Sequence, residues 1–136
     1  MIVLDASMAL AWLFADEISP NADAVLEQVS TDGAIVPSLW RIEIANTLNN
    51  SLRRGRSDKA IVERAIAQLE ELPIRDDGET GARVWSDTMA LAQEEELTVY
   101  DATYLELALR LALPLATGDK ALIAAAGRRH LNVLIA

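Results

Sequence analysis

Short apolar runs that stop at an acid, spaced far enough apart to hold a helix between them, constrain this chain most. Ile2-Val3-Leu4 ends at Asp5, Leu97-Thr98-Val99-Tyr100 at Asp101, and Leu115-Ala116-Thr117-Gly118 at Asp119. Ala34-Ile35-Val36 and Asn132-Val133-Leu134-Ile135 are runs of the same kind, and Ile74-Arg75 is a shorter one. Strands alternating with helices predict a mainly parallel sheet covered on both faces, a three-layer α/β/α fold of the α/β class. Read as parallel strands, the runs deliver Asp5, Asp101 and Asp119 beyond the carboxyl ends of one sheet, where open α/β folds place their ligand site. Glu43 joins them from about one turn into the helix that follows Ala34-Ile35-Val36.

The segments between the runs read as helices. Asp5 or Ser7 caps one over about 7–14, and Pro20 opens another to about 30. Pro37-Ser38 starts a long helix to about 54, stopped by Gly55. Ser57 or Asp58 caps the next, in which Ile61, Val62, Ala65, Ile66, Leu69 and Leu72 form an apolar stripe up to Pro73. A helix near 80–96 carries Ala82, Trp85, Met89 and Ala92 on one side, and Glu94, Glu95 and Glu96 at its end read as a solvated face. Asp101 is expected to cap a helix over 102–112, whose leucines lie on several faces and predict burial from more than one side. Asp119 is expected to open the last helix, to about 126. No linker, repeat or low-complexity segment divides the chain, so residues 1–136 read as a single domain.

Composition narrows the function. The chain contains no cysteine, which removes thiol catalysis, disulfides and thiolate metal sites and is compatible with a reducing cytoplasm. Arg110 and Pro114 interrupt the most apolar segment before it reaches the roughly 20 residues of a membrane span. The apolar N-terminus lacks a basic leader and meets Asp5 at once, so it reads as strand plus helix rather than a signal peptide. A formal net charge of −9 disfavours non-specific binding of nucleic acid and favours a basic partner or a metal. The cluster Arg53, Arg54, Arg56 and Lys59 runs against that balance. It either complements a helix dipole or grips the phosphates of RNA.

Each acid alone has a plain explanation. Asp101 and Asp119 suit helix caps, and Glu43 lies in a polar stripe with Asn46, Thr47 and Asn50. Asp5 is harder to dismiss, since a charge directly after Ile-Val-Leu is costly unless compensated. Together, oxygen ligands without sulfur or imidazole suit a hard divalent cation, Mg²⁺ or Mn²⁺. Such ions can activate water, relieve phosphate charge and stabilise a leaving oxygen, so phosphodiester hydrolysis needs no histidine base. His130, the only histidine, reads as a surface or packing residue. In-line attack by an activated water would leave a 5′-phosphate and a 3′-hydroxyl. Trp40 and Tyr104 read as core rather than base-stacking residues.

The segments Val3–Ser7, Pro37–Asn46, Tyr100–Ala108 and Leu115–Leu122, in that order, resemble PIN-domain proteins, and among these the VapC-type ribonuclease toxins. The resemblance implies an α/β/α fold, Mg²⁺- or Mn²⁺-dependent cleavage of RNA, and inhibition by a cognate antitoxin protein. It assigns Asp5, Glu43, Asp101 and Asp119 to an acidic metal site, with Ser7 and Thr117 in support. Asn46, one turn beyond Glu43, is a further candidate for support. The apolar 102–112 helix predicts a homodimer. A receiver-like phosphoacceptor would want adjacent acids after the first strand, and an aspartyl phosphatase a second acid where Ser7 stands. A catalytically inactive interaction module on the same scaffold is the third alternative.

Overall fold

A computed structural model describes residues 1–14 and 19–136. Its sheet is five-stranded and wholly parallel, in the order β3-β2-β1-β4-β5. The strands are β1 (Ile2–Leu4), β2 (Ala34–Val36), β3 (Ile74–Asp76), β4 (Leu115–Thr117) and β5 (Val133–Ile135). Every residue of β1, β2 and β4 is buried, whereas β3 and β5 at the two edges are partly exposed. Central strands without inside–outside alternation are covered on both faces, as a parallel sheet between helical layers requires. The three-layer α/β/α expectation holds.

The helices are α1 (Ala6–Leu13), α2 (Pro20–Asp32), α3 (Leu39–Arg53), α4 (Lys59–Glu70), α5 (Thr80–Arg83), α6 (Met89–Glu95), α7 (Val99–Leu111) and α8 (Lys120–Arg128). Helix α7 is the central one. Ala102 through Ala108 are all buried, in accord with its all-round apolar sequence.

Leu97-Thr98-Val99-Tyr100 is not a strand. Helix α7 begins inside it, and Thr98 rather than Asp101 is the cap: Thr98 Oγ1 accepts from the Asp101 N–H at 3.1 Å. A Thr-x-x-Asp capping arrangement has overridden the strand propensity of Val99 and Tyr100. Asp101 therefore sits in the first turn of α7, where the helix dipole favours a carboxylate.

The helix expected near 80–96 is broken by a π-helical turn over Val84–Thr88. The wider turn shifts the phase of the helix beyond it, so Thr88, Leu91 and Ala92 are buried. Trp85 and Met89, expected on one side with Ala82 and Ala92, are 91% and 41% exposed. The stripe expected on α4 is narrower than its sequence suggests. Val62 and Ala65 are buried, but Ile61 and Ile66 are exposed. The Glu94–Glu96 run is not simply solvated either. Glu95 accepts from Arg128 Nε at 2.7 Å and Arg129 Nε at 2.9 Å, tying α6 to the end of α8.

One ion-pair network anchors α7 to the sheet edge. Arg110 donates to Asp77 Oδ2 (2.6 Å), Glu106 Oε1 (2.8 Å) and Glu79 Oε2 (3.1 Å). Arg83 Nε lies 3.8 Å from Glu106 Oε1. Burial alone would raise the Asp77 carboxyl, but its bonds from Arg110 and Thr80 hold it below the usual range. This fixes the helix that carries Asp101 and Tyr104 relative to the turn after β3.

Candidate active site

Between β1 and β4 the strand order reverses, one side leading to β2 and β3 and the other to β5. In open parallel sheets such a reversal, at the carboxyl ends of the strands, is where ligands bind. Asp5 follows β1 and Asp119 follows β4, so the two flank the reversal directly. Asp101 arrives from the N-terminus of α7 instead of from a strand. Glu43 reaches the same place from the second turn of α3. Mutual charge effects link the four carboxylates: Asp5 feels Asp119, Glu43 feels Asp5 and Asp101, and Asp101 feels Asp119 and Asp5. Residues that the sequence scatters over more than a hundred positions thus lie within electrostatic reach of one another in pairs.

Asp5 is the best-defined member and is only 4% exposed. The Asp5 N–H donates to the Ala116 carbonyl at 2.9 Å, which carries the β1–β4 register past the strand ends. Its Oδ2 accepts from Ser7 Oγ at 2.6 Å and Thr117 Oγ1 at 2.7 Å. Each hydroxyl is in turn oriented from the turn after β4. Ser7 Oγ accepts from the Gly118 N–H and Thr117 Oγ1 from the Asp119 N–H, both at 3.0 Å. With a lone pair committed to a backbone donor, each hydroxyl is set to give its proton to Asp5. Ser7 and Thr117 are thus positioned to support Asp5. Asn46 is exposed and makes no side-chain hydrogen bond among the described residues, so this structure brings it into no supporting contact.

Glu43 has a partner that the sequence did not disclose. Tyr104, fully buried in α7, donates its phenolic proton to Glu43 Oε1. Reading Tyr104 as core was right for the ring and missed the hydroxyl. The available signal was its place three residues after Asp101, hence on the same face of α7. Burial, and then the bond to Glu43, raise the phenol above its ordinary range, so it remains a donor. Asp119 combines two positions. It caps α8, with Oδ1 accepting from the Leu122 N–H at 2.9 Å, and it follows β4 at the carboxyl end of the sheet.

No cationic side chain among the described residues pairs with Asp5, Glu43, Asp101 or Asp119. Burial is the main cause that raises the carboxyls of Asp5, Glu43 and Asp101, and the neighbouring acids add to it. For Asp101 the result is about 6, with Asp119 and Asp5 the next causes after burial. Among the described residues no three acidic side chains form a finished ion cage. The acids are gathered and individually braced rather than closed around one point.

These shifts have a signed consequence. A carboxyl whose folded pKa is raised stabilises the fold below its unfolded pKa, near 4, and loses that contribution as pH rises through its folded value. With chelator present, the melting temperature should therefore fall between about pH 4 and pH 7. Asp101→Asn should melt a few degrees above the parent at neutral pH and lose that lead in acid. Asp77 works in the opposite sense, but at a pH below this window because its carboxyl is lowered. Parallel melts of the two proteins across this range check the sign, and a lead that is constant with pH would contradict it.

The basic cluster is divided by the fold. Arg54 and Arg56 line a cavity of about 390 Å³, while Arg53 and Lys59 are outside its wall. Lys59 stands 4.0 Å from Glu63. His130 is exposed, as expected of a surface residue.

Residues 2–128 match the family model of the PIN domain. Ribonuclease VapC3 of Pyrobaculum aerophilum is 32% identical over 125 residues, spanning 89% of this chain and 91% of its own. Ribonuclease VapC1 of Mycobacterium tuberculosis is 34% identical over 125 residues, spanning 82% and 92%. Among solved structures, PAE2754 from Pyrobaculum aerophilum superposes with a TM-score of 0.67 at 25% identity, over 91% of this chain and 83% of that one. FitAcB from Neisseria gonorrhoeae gives a TM-score of 0.66 at 16% identity, over 98% and 96%, a likeness of fold alone. The chain belongs to the PIN domain family.

Proposed function

We propose that the protein is a divalent-cation-dependent endoribonuclease and the toxin of a toxin–antitoxin pair. The observation that carries this reading is Asp5: a buried carboxylate, braced by two hydroxyls, surrounded by further carboxylates and lacking a cationic partner among the described residues. Such a group calls for a positive charge. The donor set fits a hard ion, because every side chain offered is an oxygen ligand. Asp5 and Asp101 would hold Mg²⁺ or Mn²⁺ directly, with Glu43 and Asp119 completing the site or holding a second ion. When bound, the ion would supply water activation and charge relief at the phosphate.

The chain's own contribution is orientation. Ser7 and Thr117 fix Asp5, Tyr104 fixes Glu43, and the cap bond to Leu122 fixes one oxygen of Asp119. The names of the curated relatives, both ribonucleases, support RNA as the substrate, and the resemblance to VapC-type toxins supports a toxin's role with an antitoxin as partner. A basic side chain or segment of that antitoxin, reaching the acidic site, would supply the missing positive charge. A homodimer and a cytoplasmic location belong to the same proposal. No helix of the described residues is long and apolar enough to cross a membrane.

Tyr104→Phe tests the orientation argument. Groups that position a metal ligand are typically worth about 10–100-fold in metal affinity. Calorimetric titration should show Mn²⁺ binding weakened within that range, with little change in melting temperature under chelator. Unchanged Mn²⁺ affinity would make Tyr104 a packing residue only. For the activity itself, labelled RNA should be cut by protein free of inhibitor in Mg²⁺ or Mn²⁺ and stay intact in chelator. The products should carry 5′-phosphates. Full cleavage in excess chelator would refute the metal-dependent reading.

A further inference from the structure

We propose that the cavity beside the second half of α3 is a subsite for one nucleotide of single-stranded RNA, where Phe14 takes the base, Asn50 meets its polar edge or its sugar, and Arg54 and Arg56 hold the phosphate. The inference rests on the ribonuclease reading and deepens it. The cavity measures about 390 Å³ and is lined by Phe14, Thr47, Asn50, Ser51, Arg54 and Arg56. Phe14 is 37% exposed at the end of α1, and α1 packs beside α3.

Two observations point to a ligand. Among the described residues the cavity wall brings together an aromatic ring, an amide and two guanidiniums and holds no carboxylate. An anion bound there would meet donors and no like charge. The second observation is direction. Glu43, Thr47, Asn50 and Arg54 are spaced four, three and four residues apart, which makes them one stripe of α3. Asn50 lies about 10 Å along the axis from Glu43. A strand whose scissile phosphate sits at the acids and whose path follows this face reaches the cavity within a short oligonucleotide. The chemistry also suits one nucleotide. An aromatic face stacks any base, an amide offers a donor and an acceptor, and two guanidiniums suit a phosphate. Neither arginine forms an ion pair within the described residues.

The test uses fluorescence anisotropy of the full chain, in chelator, with a labelled octamer of adenosine nucleotides. A second octamer of abasic ribose phosphates has the same length and charge. The parent should prefer the adenosine octamer by about tenfold or more, since stacking one base on an aromatic ring is typically worth that much. Phe14→Leu keeps an apolar side chain of similar bulk at a half-exposed position, so the fold should persist. It should erase the preference and leave abasic binding unchanged. Asn50→Ala should weaken the adenosine octamer severalfold. Arg54→Gln should weaken both octamers alike and lower the salt slope by about one.

Equal binding of the two octamers by the parent, or a preference that survives Phe14→Leu, overturns the subsite. If the parent meanwhile cuts RNA in Mn²⁺, only the subsite falls; a parent that neither binds nor cuts removes both readings. Should Phe14→Leu leave RNA binding intact and instead lose a basic peptide that the parent binds, the cavity docks protein and the proposal is wrong.

Discussion

Arg110→Ala should destabilise the fold by about 3 kcal/mol or more at neutral pH, and lower its melting temperature by roughly ten degrees. Asp77 and Glu106 are 7% and 5% exposed at their side chains, and Arg110 is 12% exposed between them. Removing the guanidinium strands two buried carboxylates, which is the costly way to break such a pair. Thr80 still donates to Asp77 at 2.7 Å and Arg83 remains 3.8 Å from Glu106, so the loss should sit toward the lower end of the usual range. The deficit should shrink in acid, where the stranded groups take up protons. Adding Asp77→Asn and Glu106→Gln to an Arg110→Met background should recover much of the stability, because a fully neutral site has no uncompensated charge. Denaturant melts at neutral and acid pH measure all three effects. A loss below about 1 kcal/mol for Arg110→Ala would mean that the network is a surface feature despite its burial.

Asp5→Asn should reduce RNA cleavage by more than about 100-fold, since even the groups that merely support a metal ligand are worth up to that much. The amide retains an oxygen to accept from Ser7 or Thr117, so the change removes charge more than shape. Without divalent ions the variant should be as stable as the parent or more so, because burial and the neighbouring acids already disfavour the Asp5 carboxylate. Loss of activity with preserved or increased stability separates a functional acid from a structural one. Substantial cleavage by Asp5→Asn would remove Asp5 from the chemistry.

How far the sequence could be read depended on how local each feature was. Ile2-Val3-Leu4 and Leu115-Ala116-Thr117 are strands because short, buried parallel strands read as continuous apolar runs, and their acids follow at fixed offsets. Asp5 and Asp119 were legible beside their strands for that reason. The route of Asp101 was not. Val99 and Tyr100 have strand propensity, and only the cap geometry at Thr98 shows that a helix delivers the acid. The shared side of Ala82, Trp85, Met89 and Ala92 did not survive folding, because a π-turn shifts the phase without a local sign in composition. The Tyr104–Glu43 bond, the Arg110 network and the cavity at Phe14 join segments far apart in the chain. Periodicity describes one element at a time, so contacts of that kind emerge only when the elements pack.

The central claim is that the gathered acids hold a divalent cation, and thermal melts of the parent and Asp101→Asn, each in chelator and in millimolar Mg²⁺, test it most directly. A ligand that binds only the folded state raises its stability by mass action. The parent should gain several degrees in Mg²⁺, and Asp101→Asn should lose most of that gain while melting no lower than the parent in chelator. An equal Mg²⁺ shift in both proteins would take Asp101 out of the cation site and contradict the account.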